Sequence, residues 1–229
     1  MLRPRISTNL AISIDGKITS ETGTPSGWTS SGDHQRLLDL RKNVDALLIG
    51  RGTLETDRMT LTSPDSVRQP LRCIVSRSGK MDPEHPIFSK PGGPIHLLVT
   101  GSKPPELAEA IRSHVTVHLL SLEEFLQWLA AELGVRTVHC EGGGQLIRAL
   151  AERDVIDDFH LTVAGHTLFG GLQARTATGL PGEFLPQSLR FRLTRFEPQG
   201  AECFLTYTRD RGDQCSALSA ACTSLAAPC

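Results

Sequence analysis

Apolar and polar residues alternate over residues 5–14, where Ile6, Thr8, Leu10, Ile12 and Ile14 share one side. A period of two predicts a strand with one buried face. A Ser/Thr/Gly/Pro-rich stretch over 19–32 reads as a long loop. Asp33 then stands in a cap position, ahead of a helix to Lys42 with Leu37, Leu38 and Leu40 on its apolar side. Residues 46–49, 71–76 and 95–100 are short, largely apolar runs, the pattern of strands buried on both faces. Gly50-Arg51-Gly52-Thr53 turns the first of these into a short helix, while 79–94 is too polar and broken for regular structure. Pro104-Pro105 is expected to open a helix through Ile111, since Pro suits a first helical turn. A strand is predicted over 115–119, and Ser121 with Glu124 forms a capping box for a helix through Leu133, stopped by Gly134. A strand over 137–140, a glycine turn and a helix to Arg153 follow. Strands over 159–164, 188–196 and 202–208 complete the pattern, the last two forming a hairpin around Gln199-Gly200.

About nine strands and five helices in this order predict a single α/β domain over residues 1–210. Its central sheet is expected to be mostly parallel, with helices on both faces and an antiparallel hairpin at the C-terminal end. Residues 211–229, rich in Ser, Ala and Cys, read as a disordered tail.

Composition narrows the function classes. The chain of 229 residues carries 24 Lys plus Arg against 25 Asp plus Glu, a net charge of −1. That balance argues against nucleic acid or an anionic membrane as partner, since both are gripped by a basic excess. No apolar run approaches the ~18–20 residues of a membrane span, and no secretory signal precedes the first strand, so a cytoplasmic protein is expected. The six cysteines show no C-x₂₋₄-C spacing, and adjacent His139 and Cys140 would point to opposite strand faces. Free thiols and no metal are the expectation.

The candidate chemistry lies in turns. Ile49-Gly50-Arg51-Gly52-Thr53 and Cys140-Glu141-Gly142-Gly143-Gly144 each follow a predicted buried strand and open a helix. A helix N-terminus offers unpaired N–H groups and partial positive charge, and glycine lets a phosphate approach the backbone. Two such turns suit a ligand with two separated phosphate groups, such as NADPH, with Arg51 and Thr53 adding a charge and a hydroxyl. Either turn alone is equally consistent with a tight strand-to-helix connection, and neither matches G-x-G-x-x-G or G-x-x-x-x-G-K-[ST]. A third polar cluster runs from Asn9 to Ile18 at the end of the first strand, where Asp15-Gly16 also suits an ordinary β-turn.

Three motifs carry a resemblance. Ser13-Ile14-Asp15-Gly16-Lys17-Ile18 resembles an S-L-D-G-K signature. The stretch from Val44-Asp45-Ala46 through Gly50, Thr53, Leu54 and Asp57, and Glu141-Gly142-Gly143-Gly144-Gln145-Leu146, are similar to the same family. It is the RibD C-terminal domain family, the reductase domain of riboflavin biosynthesis, within the dihydrofolate reductase-like fold. The resemblance spans about residues 6–207. It implies an NADPH-dependent reductase that converts the ribosylamino group of a pyrimidine ribosylamine 5′-phosphate to ribitylamino, and a homodimer. By position it implies cofactor contacts at Trp28, Gly50, Arg51, Gly52, Thr53, Asp57, Gly142, Gly143, Gly144, Gln145 and Leu146. On the substrate side it implies Asn9, Ser13, Asp15, Ser26, Arg41, Leu61 and Glu141. Asp57, Glu141 and water remain the candidates for proton delivery.

The chain also departs from the family pattern. Asp57-Arg58-Met59-Thr60-Leu61 stands where the family has D-D-P-x-L, and the arginine that follows there is missing. Ala164-Gly165-His166-Thr167-Leu168-Phe169-Gly170-Gly171 resembles A-P-x-L-x-G-G with Gly165 in the proline position. The zinc deaminase module of bifunctional members, with its H-x-E and P-C-x-x-C, is absent from this sequence. Two other readings are a dihydrofolate reductase-like enzyme acting on another pteridine or carbonyl, and a nucleotide-binding protein without catalysis.

Overall fold

Ala46, Leu47, Leu48 and Ile49 are all fully buried, because successive residues of their strand feed opposite faces of the sheet. Ala46 and Leu48 join one core with Ile6, Cys73, Leu98, Phe125, Leu129 and Ile147. Leu47 and Ile49 join a second with Leu54, Ile74, Ile87, Leu97 and Ile111. The computed structural model in which these contacts are seen describes residues 3–19, 27–64, 66–172, 174–179 and 184–212.

The elements are β1 (Arg5–Ser13), α1 (Ser31–Lys42), β2 (Ala46–Gly50), α2 (Arg51–Asp57), β3 (Leu71–Ser76), β4 (Ile95–Val99), β5 (Val115–His118), α3 (Leu122–Leu133), β6 (Thr137–Cys140), α4 (Gly144–Glu152), β7 (Asp158–Ala164), β8 (Phe191–Gln199) and β9 (Glu202–Arg209). They form a single α/β domain around one sheet with the order β5-β4-β3-β2-β6-β1-β7-β9-β8. All pairs from β5 to β7 are parallel, and β9 and β8 add antiparallel pairs at the end. From β1 the chain crosses to β2 on one side, while β6 returns beside β1 and leads to β7 on the other. The carboxyl ends of β1, β2 and β6 therefore frame a topological switch point, where open α/β sheets hold ligands. Among the described residues no helix is long and apolar enough to cross a membrane.

Beneath α1 the sheet face is polar rather than apolar. Arg36 crosses it, donating to Thr162 Oγ1 at 3.0 Å and Leu205 O at 2.9 Å, with its guanidinium 5.0 Å from the Phe204 ring centre. The α1 N-terminus is tied to β9, where buried Glu202 accepts the Ser30 N–H at 2.8 Å and the Ser30 hydroxyl.

The structure corrects three boundaries. Ser30, not Asp33, caps α1, accepting the Asp33 N–H at 3.3 Å. The helix expected from Pro104 is absent; a 3₁₀ turn at Glu109–His114 stands at its end instead. Pro105 disfavours a helical Pro104, and Glu106 donates its N–H to Ser78 O at 2.8 Å. The hairpin's first strand is shifted to Phe191–Gln199, with an irregularity between Leu193 and Arg195. The tail expected over 211–229 lies, from residue 213 on, outside the described residues.

Candidate functional site

A cleft of about 1220 Å³ opens at the carboxyl ends of β1, β2 and β6. Asn9, Trp28, Gly52, Thr53, Asp57, Glu141, Gly142, Gly143 and Gly144, all singled out in the sequence, line it together. The two glycine turns form one wall because the backbone links them. Glu141 donates its N–H to Leu48 O at 2.9 Å, and Gly50 donates to Gly142 O at 3.1 Å. The Gly143 N–H donates to Thr53 Oγ1 at 3.0 Å. Thr53 Oγ1 thus accepts from the second turn while its own O–H has no acceptor among the described residues. Side chains would not fit here, Gly143 facing the first turn and Gly144 facing the backbone at Thr176 and Gly179. A Cβ on Gly143 would sit 2.6 Å from Thr53 Oγ1, and one on Gly144 would sit 2.5 Å from Gly179 N.

These residues fit a diphosphate-bearing cofactor. The N-cap of α4 is Gly143, with no side chain to cap the helix; Leu146 donates its N–H to Gly143 O at 2.9 Å, which leaves the Gly144 and Gln145 N–H groups to water or a ligand. The helix dipole favours an anion there. The volume also exceeds the ~300–1,000 Å³ of an ordinary single-ligand pocket.

The other wall is held from far along the chain. The Asp15 carboxylate accepts the Gly170 N–H at 2.7 Å, the Phe169 N–H at 3.3 Å and the Ser13 hydroxyl. The Ser13 contact, followed by the two backbone donors, holds this carboxyl below its usual range. Phe169 meets Trp28 edge-on at 5.2 Å between ring centres, and His166 Nε2 lies 2.9 Å from Trp28 O.

Several predicted residues are placed elsewhere. Ser13 is fully buried and Asp15 points at the 169–170 loop, so these two residues latch a loop and do not line the cleft, which the motif reaches at Ile18. Leu61 is fully buried in the second core, with a left-handed φ of 54°. Arg41 is buried and donates from Nε and Nη2 to both Glu141 carboxylate oxygens, at 2.5 and 2.6 Å, and from Nη1 to Thr62 O at 2.9 Å. In place of the substrate-side contact implied for it, Arg41 makes a buried ion pair. The Glu141 side chain is 1% exposed, its oxygens facing Arg41 rather than the cleft. Gly50 is the N-cap of α2, Gln145 is exposed on the first turn of α4, and Leu146 packs into the first core. Arg51 pairs with Glu55 at 2.7 Å and lines a separate hollow of about 460 Å³ with Arg58, Lys80 and Asp82. Ser26 lies outside the described residues.

Sequence reasoning did not assign Asp33, Leu37, Phe169, Gly170 or Gly171 to the site, yet all line the cleft. Asp33 is anchored there by Thr162 Oγ1, which donates to Oδ1 at 2.6 Å. For Phe169, Gly170 and Gly171 the signal in the sequence was the 164–171 motif, which resembles the family pattern.

Residues 4–205 match the family model of the RibD C-terminal domain. The chain is 26% identical over 216 residues to the 2,5-diamino-6-ribosylamino-4(3H)-pyrimidinone 5′-phosphate reductase of Methanothermobacter thermautotrophicus, covering 90% of this chain and 99% of that one. Among solved structures it resembles Acinetobacter baumannii RibD with a TM-score of 0.77 and 23% identity, covering 91% of this chain and 59% of that one. The chain therefore spans little more than half the length of that protein. It also shares the fold of dihydrofolate reductase from Enterococcus faecalis, with a TM-score of 0.54 and 18% identity over 91% of this chain and 99% of that one.

Proposed function

The chain belongs to the RibD C-terminal domain family, and from that premise we propose that it is an NADPH-dependent reductase of riboflavin biosynthesis. In this reading it reduces the ribosylamino group of a pyrimidine ribosylamine 5′-phosphate, of the 5-amino-6-(5-phosphoribosylamino)uracil type, to ribitylamino. The observation that carries it is the α4 N-terminus without a side-chain cap, held beside Thr53 in a cleft of about 1220 Å³.

Bound NADPH supplies the hydride. The chain's own residues bind and orient. The Gly144 and Gln145 N–H groups at the start of α4 would hold the diphosphate, and the Thr53 O–H would donate beside them. Trp28 and Phe169 wall the cleft opposite the glycine turns. Reduction of an imine or carbonyl also needs a proton at the heteroatom. Asp57 and water supply it in this reading, because the Glu141 oxygens are held by Arg41.

A second reading, a pteridine substrate, is favoured by one observation. Asp33, an acid on α1, stands in the cleft and could protonate a ring nitrogen there. NADPH consumption with the phosphorylated pyrimidine and with dihydrofolate separates the two. Turnover of the pyrimidine alone is expected. Turnover of dihydrofolate alone establishes the second reading, and consumption with neither rejects both.

The proposed assembly is a cytoplasmic homodimer. The edge strand β8 exposes Leu193 and Phe196, at 47% and 61%, which a second copy would cover. Sedimentation as a monomer at micromolar concentration would exclude it.

A further inference from the structure

One buried histidine reaches the cleft through a neighbouring side chain. His139 on β6 is fully buried, with Nδ1 2.8 Å from Ser7 Oγ and Nε2 2.9 Å from Asn9 Oδ1. Burial, with His160, Arg41 and Arg36 nearby, pushes its pKa down to about 3, so the ring is neutral. A neutral imidazole has one donor and one acceptor. An amide oxygen only accepts, so the proton sits on Nε2 and Nδ1 accepts from the Ser7 hydroxyl.

The other end of the Asn9 amide is then fixed. Its Nδ2 has no hydrogen-bond partner among the described residues, and among them no buried side-chain nitrogen or oxygen lacks one. Nδ2 is therefore not buried, and Asn9 lines the cleft. We propose that His139 is a positioning residue: by donating from Nε2 to Asn9 Oδ1, it turns the Asn9 Nδ2 amide into the cleft as a donor for a carbonyl oxygen of the bound pyrimidine. The opposite tautomer, with the proton on Nδ1 and donated to Ser7 Oγ, would turn the amide oxygen outward and oppose that carbonyl. The tautomer of a residue that touches no ligand thus sets which substrate groups the site accepts. The identity of the ligand rests on the proposed reduction; the orientation of Asn9 does not.

Two measurements test this. Long-range proton–nitrogen correlation spectra of the unliganded protein report the His139 tautomer. A neutral ring protonated on Nε2 is expected, and protonation on Nδ1 overturns the proposal. This result stands whether or not the pyrimidine is a substrate, whereas failure of the wild type to reduce it refutes the proposed reaction alone. Kinetics then use His139→Leu, His139→Gln, Asn9→Ala and the Asn9→Ala/His139→Leu double variant. His139→Leu should raise KM for the pyrimidine about tenfold with kcat within twofold and NADPH affinity unchanged. His139→Gln, which can donate to Asn9 and accept from Ser7, should restore KM to within about threefold of wild type. In the Asn9→Ala background, His139→Leu should add nothing. A purely structural histidine would depress kcat and KM behaviour alike in both backgrounds, and that result overturns the role, as does a change in NADPH affinity alone.

Discussion

Removing one member of the Arg41–Glu141 pair should destabilise the fold more than removing both. The side chains are 8% and 1% exposed, and two hydrogen bonds of 2.5 and 2.6 Å join them. Glu141→Gln leaves a guanidinium in a site built for a carboxylate, and turns an amide donor toward donors. Arg41→Met leaves the carboxylate without a cation. Breaking a buried pair from one side typically costs ~3–5 kcal/mol, while replacing both partners by apolar groups is often neutral. For a domain of this size ~1 kcal/mol moves Tm by roughly 2–4 °C, so each single variant should melt about 6–20 °C lower. Arg41→Met with Glu141→Leu should recover most of that loss. Thermal melts and urea titrations of wild type, Arg41→Met, Glu141→Leu and their double variant give the coupling energy. Additive single effects, or single losses below ~1 kcal/mol, would refute the reasoning. The folded fraction of Arg41→Met should also bind phosphorylated and dephosphorylated pyrimidine with equally changed affinity, since the guanidinium faces Glu141 and Thr62.

Gly143→Ala places a Cβ against Thr53 Oγ1, so it should lower NADPH affinity about tenfold or more by fluorescence titration while circular dichroism stays native; unchanged affinity would separate this turn from the cofactor. Acid stability should follow buried His139 and half-buried His160. His139 and His160 are pushed down to about 3 and about 4, chiefly by burial, against ~6.5 in the unfolded chain. The unfolded chain therefore binds protons the fold refuses. The stability carried by the neutral rings is complete above pH ~6.5 and lost as pH falls toward the folded values, by ~1.4 kcal/mol per unit for His139. His139→Gln should flatten the acid limb of urea midpoints by about one proton, and an unchanged slope would contradict the assignment. Arg51→Ala should reduce the preference for NADPH over NADH in calorimetric titration by about tenfold at most, because Glu55 already holds part of that charge; equal wild-type affinity for both cofactors would remove the preference altogether.

Short-range pattern made the sheet legible. The runs over β2, β3 and β4 lack polar alternation because both faces are covered, and the glycine turns stand out because backbone meets backbone there. The face under α1 was not legible. Leu37, Leu38 and Leu40 suggested an apolar seat, yet the residue α1 buries is Arg41. Its partner Glu141 is 100 residues away, and Asp15 holds a backbone 155 residues away. No local period encodes such pairings; they become visible only once β6 is seen beside β1. The same limit explains the substrate-side residues placed elsewhere. Ser13-Ile14-Asp15-Gly16 was read as gripping a ligand, but in the fold it grips a loop that lines the ligand's cleft. The helix expected at Pro104 failed for a local reason, since the N–H that should have begun it pairs with Ser78 O.

Hydride transfer to C1′ of the sugar is the central claim, and isotope transfer reads it directly. NADPH deuterated at the transferring position of its nicotinamide is incubated with the enzyme and the phosphorylated ribosylamino-pyrimidine, and the product is resolved by mass spectrometry. The account predicts a ribitylamino product carrying one deuterium on C1′, with one NADPH consumed per product. A product without deuterium at that carbon, or NADPH consumed with the ribosylamino group intact, would contradict it.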